Sequence, residues 1–285
     1  MPKPVIPLKT LARATLASDK EVKFNVPIVN FPKLAKIVPL VEKNERLRAL
    51  WNASNVQLLD RSGFNDHGFV HVKIVANIAL KIWRILHEAG VKSSAEKDYH
   101  QTEDDAAVVI FLASVLHDVG NAVARHGHEK HALLLSAPIL EELLSPVYPE
   151  VGVRQTLATE ILHAIYTHEE PHTPSTLEAS IVRVADALDM AEGRARIPFE
   201  RGTFNIHSVS ALAVKRVEIH HGKHGKLVDI NIALDNLAGV FQLELLKARA
   251  QHSQLLPFLN VVLLVGEKEA PRAYDLSEPV AAGHD

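Results

Sequence analysis

Thr102-Glu103-Asp104-Asp105-Ala106-Ala107-Val108-Val109-Ile110-Phe111-Leu112-Ala113-Ser114-Val115-Leu116-His117-Asp118-Val119-Gly120 is the stretch on which the reading of this chain turns. Thr102 followed three residues later by Asp105 has the pattern of a capping box, in which two side chains satisfy each other's backbone N–H groups at a helix start. Ala106–Leu116 is apolar on every side, so the helix it forms has no face to give to water and belongs at the centre of the fold. That helix runs straight into His117-Asp118. Ionisable groups at the end of a buried helix are costly unless something pairs with them. A divalent cation does so by stabilising the carboxylate and using the neutral imidazole. Taken by itself the pair has a plainer reading, a helix C-terminus where His117 meets the dipole and Asp118 faces water.

Working outward, the neighbouring segments repeat the theme. Asn65 or Asp66 can cap a helix carrying Val70, Ile74, Ala76, Ile78, Ile82, Trp83 and Leu86, which stops at Gly90. His71 interrupts its apolar side one turn after His67, which at the helix start reads as peripheral. Lys92–Gln101 reads as a polar loop. Beyond the central helix, His128–Leu144 is helical, with Pro138 kinking or restarting it, and Val151–His168 is helical again. Ser175 and Glu178 have the pattern of a second capping box, opening Leu177–Glu192, which Gly193 closes. Asp186 lies inside that helix between Val182 and Met190, where propensity does not favour it. Four or more helices thus each bring a His or an Asp to an apolar stripe, and helix bundles build metal sites from side chains projecting inward in this way.

The flanks are less regular. Pro2, Pro4, Pro7, Pro27 and Pro32 break the first stretch, and a helical pattern then runs from Pro39 to Leu59. After Ile206 the pattern changes to a short helix, His207–Lys215, and two strand-like runs, Arg216–His220 and Lys226–Ala233. A turn at His221-Gly222-Lys223-His224-Gly225 joins them. A helix over Leu237–Gln251, a strand over Leu259–Gly266 and a frayed tail, Glu267–Asp285, complete the chain. The expected fold is mainly α: an extension over 1–65, a helical metal-binding core over 66–205 and a smaller C-terminal α+β module over 206–285. Val217, Ile219, Val228, Ile230 and Ile232 give the module one apolar face, which would suit a homodimer.

Composition narrows the function. The 285 residues are 47% hydrophobic, 23% charged and 5% aromatic, as in ordinary globular proteins. The absence of Cys removes disulfide scaffolds, Cys-ligated zinc, iron–sulfur clusters and thiol nucleophiles together. A net charge of −3 argues against a dedicated nucleic-acid binder. No apolar run approaches the ~18–20 residues of a membrane helix, and the Pro-broken N-terminus has no signal-peptide core. The expectation is therefore a cytoplasmic protein with no membrane partner. Against this ordinary background stand 17 His, eleven of them between His67 and His172.

The ordered set His71, His117-Asp118, His128, His168 and Asp186 resembles the H…HD…H…H…D fingerprint of the HD-domain metal-dependent phosphohydrolase superfamily. The flanks are similar too. His71-Val72-Lys73-Ile74-Val75-Ala76 resembles the family's H-x3-V-A, and Leu116-His117-Asp118-Val119-Gly120 its LHDIG. His128 with Ala132 resembles H-x3-[GA], Ala164-Ile165-Tyr166-Thr167-His168 resembles AI-x2-H, and Val184-Ala185-Asp186-Ala187-Leu188-Asp189 resembles VADALD. The likeness spans about His67 to Arg196.

The resemblance implies that His71, His117, Asp118 and Asp186 hold one metal, and that Asp118 bridges to a second held by His128 and His168. A metal-bound hydroxide would then attack phosphorus, with Asp118, His128 and His168 carrying the catalysis. Mixed imidazole and carboxylate ligands suit Fe, Mn, Co, Ni or Zn without choosing among them. His126 and His131 rival His128, whose spacing to Ala132 favours it. His163 reads as structural, and Asp189 as a residue that orients a ligand or an arginine. The family's HDIGK lysine is here Asn121, so phosphate must be met elsewhere, with Arg194, Arg196, Lys73 and Arg125 as candidates. The loss leans the substrate towards a phosphodiester over a phosphomonoester. Thr167-His168 stands where two-metal members often have paired histidines. Glu169-Glu170-Pro171-His172 carries no GYP motif, which disfavours the cyclic-di-GMP class. With no aromatic platform or basic groove, a small nucleotide-like substrate is expected over long nucleic acid. The alternatives are a non-catalytic metal- or nucleotide-binding regulatory module, and a metallohydrolase or oxygenase acting on no phosphate.

Overall fold

The structure is a computed structural model that describes residues 22–62, 64, 66–190, 210–223, 225–265, 268–269 and 274–277. In chain order its helices are α1 (Pro32–Lys43), α2 (Glu45–Asn55), α3 (Phe69–Glu88), α4 (Ser94–Tyr99), α5 (Glu103–Leu116), α6 (His128–Leu144), α7 (Val151–Thr167), α8 (Leu177–Ala187) and α9 (Val240–Ala250). The strands are β1 (Val214–His221), β2 (Val228–Leu234), β3 (Leu259–Val265) and the two-residue β4 (Lys268–Glu269).

Helix α5 is the axis. The Thr102/Asp105 box caps it in both directions, and every residue from Asp104 to Leu116 is buried. Helices α1, α3, α7 and α8 pack around it. Its acidic first turn does double service. Asp104 accepts from the N–H groups of Lys33 (2.6 Å) and Leu34 (3.1 Å), capping α1, while Asp105 takes the Lys33 ammonium (2.7 Å) and the Tyr148 hydroxyl (2.8 Å). With the short 3-10 turn that follows, the helical stretch Glu103–Ala122 has 20 residues and a mean hydropathy of 1.3, long and apolar enough to cross a membrane. That departs from the expected absence of such a run. Neighbouring helices cover 94% of it, so it is the core of the bundle.

Several local readings are corrected. The pattern over Pro39–Leu59 is two helices meeting at Asn44, whose side chain caps α2 through the N–H of Leu47 (3.0 Å), followed by a π-helical turn, Val56–Arg61. Helix α3 begins after Gly68; Asp66 accepts from the Gly68 N–H (2.9 Å), and Asn65 lies outside the described residues. The polar stretch 92–101 contains α4, opened by a Ser93/Glu96 capping box. Pro138 does not break α6.

Thr176, not Ser175, caps α8. Glu178 instead accepts from the N–H groups of Ser94 (3.2 Å) and Ala95 (2.9 Å), while Ser94 Oγ accepts from the Leu177 N–H (2.9 Å). The starts of α4 and α8 therefore cap each other. Helix α8 ends at Ala187, short of Glu192, which with Gly193 lies outside the described residues.

In the C-terminal part β1 begins at Val214, inside the run expected to be a short helix; among the described residues of that run, 210–212 are helical. Strands β1 and β2 are antiparallel with Val217 opposite Ile232 and Ile219 opposite Ile230. Strands β2 and β3 are parallel, joined by α9 as the crossover that such pairing requires. The sheet packs on α3 and α9 packs on α8. Ile219, Val228, Ile230 and Ile232 are buried in the same continuous apolar core as α5. The face thought available to a second copy is thus used within the chain. The expected boundary at 205/206 falls outside the described residues.

Candidate metal centre

Four histidines converge at the inner end of α5, each fixed from behind. His71 on α3 donates from Nδ1 to the Asp189 carboxylate (2.6 Å). His117 Nδ1 donates to the Ser114 carbonyl (2.8 Å), His128 Nδ1 to that of Arg125 (3.1 Å) and His168 Nδ1 to that of Ile165 (2.6 Å). A carbonyl or an ionised carboxylate only accepts, so the proton sits on Nδ1 in each ring and the Nε2 lone pair points inward. Those lone pairs then face one another: His71 Nε2 lies 3.1 Å from His117 Nε2, and His128 Nε2 lies 3.0 Å from His168 Nε2. Two lone pairs cannot bond each other. Each pair needs a proton or a cation between its members.

The carboxylates complete two lobes. In the first, Asp118 Oδ2 and Asp186 Oδ1 lie 3.2 Å from His71 Nε2, and 3.5 and 3.6 Å from His117 Nε2. In the second, Asp118 Oδ1 is 3.3 Å from His128 Nε2 and 3.9 Å from His168 Nε2. Ligands bonded at ~2.1 Å sit about 3.0–3.4 Å apart along the edges of an octahedron or tetrahedron, so the donor spacing of the first lobe fits a transition metal. Asp118 offers one oxygen to each lobe, the arrangement of a bridging carboxylate.

Electrostatics agrees with the geometry. Burial pushes Asp118 up, but His117, His67 and His128 more than offset it and hold the carboxyl well below its usual range. Asp186 is held down in the same way by His117 and His71. Burial, with His117 and His128 nearby, pushes His168 well below an ordinary histidine, so its ring stays neutral and able to bind a cation. His128 moves the other way: burial lowers it, yet its bond to Asp118 raises it further. A proton there competes with a cation for the second lobe.

The approach of the two lobes depends on one glycine. A Cβ on Gly120 would stand 1.9 Å from the His128 carbonyl oxygen, so a side chain at 120 would drive the start of α6 away from Asp118.

Of the other candidates, Arg125 reaches the rim of the second lobe, with Nη1 3.5 Å from His128 Nε2 and Nη2 3.5 Å from Glu169 Oε2. Lys73 lies two residues from His71, some 200° round the helix, and its ammonium sits over the Phe69 ring at 5.9 Å; its described contacts are not with the cluster. Arg194 and Arg196 lie outside the described residues. Asn121 is fully buried and donates to Asp118 Oδ1 (2.8 Å), while its own Oδ1 has no partner among the described residues. His126 is exposed, leaving the second lobe to His128. His163 accepts from the Ser175 N–H (3.0 Å), a structural contact.

Two residues were misread or passed over. His67 is buried, with Nδ1 2.6 Å from Asp118 Oδ2, rather than peripheral. Its backbone N–H donates to Asn55 Oδ1 (2.9 Å) on α2, a contact no local pattern reveals, although the one-turn spacing to His71 is a signal. Glu169 stands beside the second lobe, with Oε2 3.9 Å from His128 Nε2, and its adjacency to His168 was the available sign.

The HD domain family matches the chain over residues 68–191. The uncharacterized protein MJ1020 of Methanocaldococcus jannaschii is 40% identical over 230 residues, covering 80% of this chain and 88% of that protein. No solved structure gives a significant match.

Proposed function

The chain belongs to the HD-domain family of metal-dependent hydrolases, and from that premise we propose that it hydrolyses a phosphodiester, or secondarily a phosphomonoester, of a small nucleotide-like molecule. The observation that carries the proposal is Asp118, ionised and buried, with one oxygen turned to each lobe of facing imidazole lone pairs. Two cations held there would neutralise phosphoryl oxygens and acidify water at neutral pH.

The chain's own residues do the remaining work. His71, His117 and Asp186 hold the first lobe, and His128 and His168, sharing Asp118, hold the second. The acceptors behind each imidazole set its tautomer and aim, so little reorganisation is needed when the lobes fill. His67 keeps a proton against Asp118 Oδ2, at the carboxylate common to both lobes. Arg125, with a side chain 39% exposed at the rim, is the candidate to meet the substrate's anionic group. Asn121 is uncharged and so offers no cation, and its amide N–H is spent on Asp118. That supports the lean towards a singly charged diester.

The test is turnover of cyclic and linear phosphodiesters and of nucleoside monophosphates by protein loaded with Mn, Fe, Co, Ni or Zn. Metal-dependent release of an alcohol or of phosphate, lost in Asp118→Ala, is the expected result. Tight nucleotide binding without turnover under any metal would overturn the enzyme reading in favour of a regulatory module.

A further inference from the structure

Resting on the two-lobe reading above, we propose that Arg249, from the C-terminal crossover helix α9, is a positioning residue for the second lobe alone. Through it, docking of α9 controls whether the second metal is held.

Helix α7 ends at Thr167, and His168 is its C-cap. The last carbonyls of a helix have no partner within it, so the direction of the chain there depends on what else binds them. Two guanidinium groups do so. Arg183 on α8 donates from Nη1 to the carbonyls of Thr167 (3.1 Å) and His172. Arg249, in the last turn of α9, donates from Nη1 to the carbonyl of His168 and from Nη2 to Oε1 of Glu169. Arg183 Nε in turn donates to the Arg249 carbonyl (3.1 Å), locking the two together.

The turn held in this way carries two donors of the second lobe. His168 presents Nε2 to His128, and Glu169, with Oε1 taken by Arg249, is left with Oε2 towards Arg125 (3.5 Å) and His128 (3.9 Å). The first lobe is oriented by other means, His71 by Asp189 and His117 by the Ser114 carbonyl. A planar fork that binds a backbone oxygen and a carboxylate at once is a task for arginine; a lysine ammonium lacks that fixed geometry. Arg249 lies 81 residues from His168, so this link is a tertiary one, made when the β2–α9–β3 crossover packs on α8.

The test compares the full chain with Arg249→Ala and Arg249→Lys. Each protein is titrated with Mn or Co, metal per chain is counted after gel filtration, and the affinity of each site is fitted separately. The wild type is expected to hold about two metals. In Arg249→Ala the weaker site should lose affinity by about 10–100-fold, the scale for removing a group that orients a ligand, while the tighter site is unchanged. Added guanidinium ion at a non-denaturing concentration should restore the weaker site, which it would not do for a generally destabilised fold. Should the alanine variant fail to fold, Arg249→Lys decides the matter, with a loss again confined to the weaker site.

Equal weakening of both sites, or two unchanged affinities, overturns the role of Arg249. A wild-type chain that takes up no metal defeats the two-lobe reading itself, which is a different outcome.

Discussion

The two lobes share a carboxylate but are built differently. The first draws His71, His117 and Asp186 from α3, the end of α5 and α8, all packed on the apolar core, and its two Nε2 atoms lie 3.1–3.6 Å from each other and from the Asp118 and Asp186 oxygens. The second hangs on helix ends. His128 opens α6, His168 closes α7, and Glu169 is shared with Arg125 and Arg249 at the rim. His71 in the first turn of α3, His117 at the C-cap of α5 and Asp186 in the last turn of α8 are also near helix ends, but these three helices pack on one another, so the first lobe is held by the fold itself. The second depends more on what binds the chain just beyond its helices, as Arg249 does at His168 and Glu169. The first lobe should therefore bind its metal tightly under most conditions, and the second should respond to substitutions and pH.

Substitution of the lobes' own histidines should have the greatest consequences. His71→Ala should empty the first lobe, and His128→Ala should leave it filled while emptying the second. Both should lower phosphodiester turnover by ~10³-fold or more, since each removes part of a preorganised electrostatic site. If metal counting finds the first lobe emptied by His128→Ala as well, the lobes are one cooperative unit and the distinction fails.

Gly120→Ala comes next. Its Cβ would collide with the His128 carbonyl oxygen at 1.9 Å and approach the Ala132 N–H nitrogen at 2.6 Å. Thermal unfolding should show a loss of about 1–3 kcal/mol, the usual range for overpacking. Metal content should fall in the second lobe first, because it is α6 that must move.

Asp189→Asn sharpens the contrast from the other side. Asp189 fixes His71 from behind at 2.6 Å. Its replacement should weaken the first lobe about 10–100-fold, measured by competition with a chelator, and leave the second nearly untouched.

The smallest effect is on pH. His128 has a pKa raised above the histidine value of 6.5 by its bond to Asp118, against the pull of burial, while burial and its neighbours hold His168 well below it. Metal binding must displace the His128 proton. Occupancy of the second lobe should thus fall as pH drops through that raised pKa and recover above it, before the first lobe is affected. Metal retained per chain after dialysis at a series of pH values checks the order of release.

Much of this was legible in the sequence, for a physical reason. The Thr102/Asp105 box, the featureless apolar run of α5 and the dyad at its end are local patterns, and so are His71, His128, His168 and Asp186 on their helices. Asp189 was readable as a group that orients a ligand because it lies one turn from Asp186. What escaped was tertiary. His67 turns inward to Asp118, with its backbone N–H bound by Asn55 across the π-helical turn. Glu178 spends its carboxylate on the start of α4, so the Ser175/Glu178 pattern was a false local signal for a true capping role elsewhere. The parallel pairing of β2 with β3 and the reach of Arg249 to His168 both depend on a crossover that periodicity does not encode. The Ser93/Glu96 box, by contrast, was present in the polar stretch and was passed over.

Whether Asp118 serves both lobes is decided by counting metal per chain in the wild type and in Asp118→Ala. The protein should be purified without chelators or affinity-tag metal. The wild type should carry about two metals, and the variant should lose affinity at both sites together, unlike any single histidine variant. A variant that keeps one site at wild-type affinity would contradict the bridge, and a wild type that takes up no Mn, Fe or Ni would contradict the metal centre altogether.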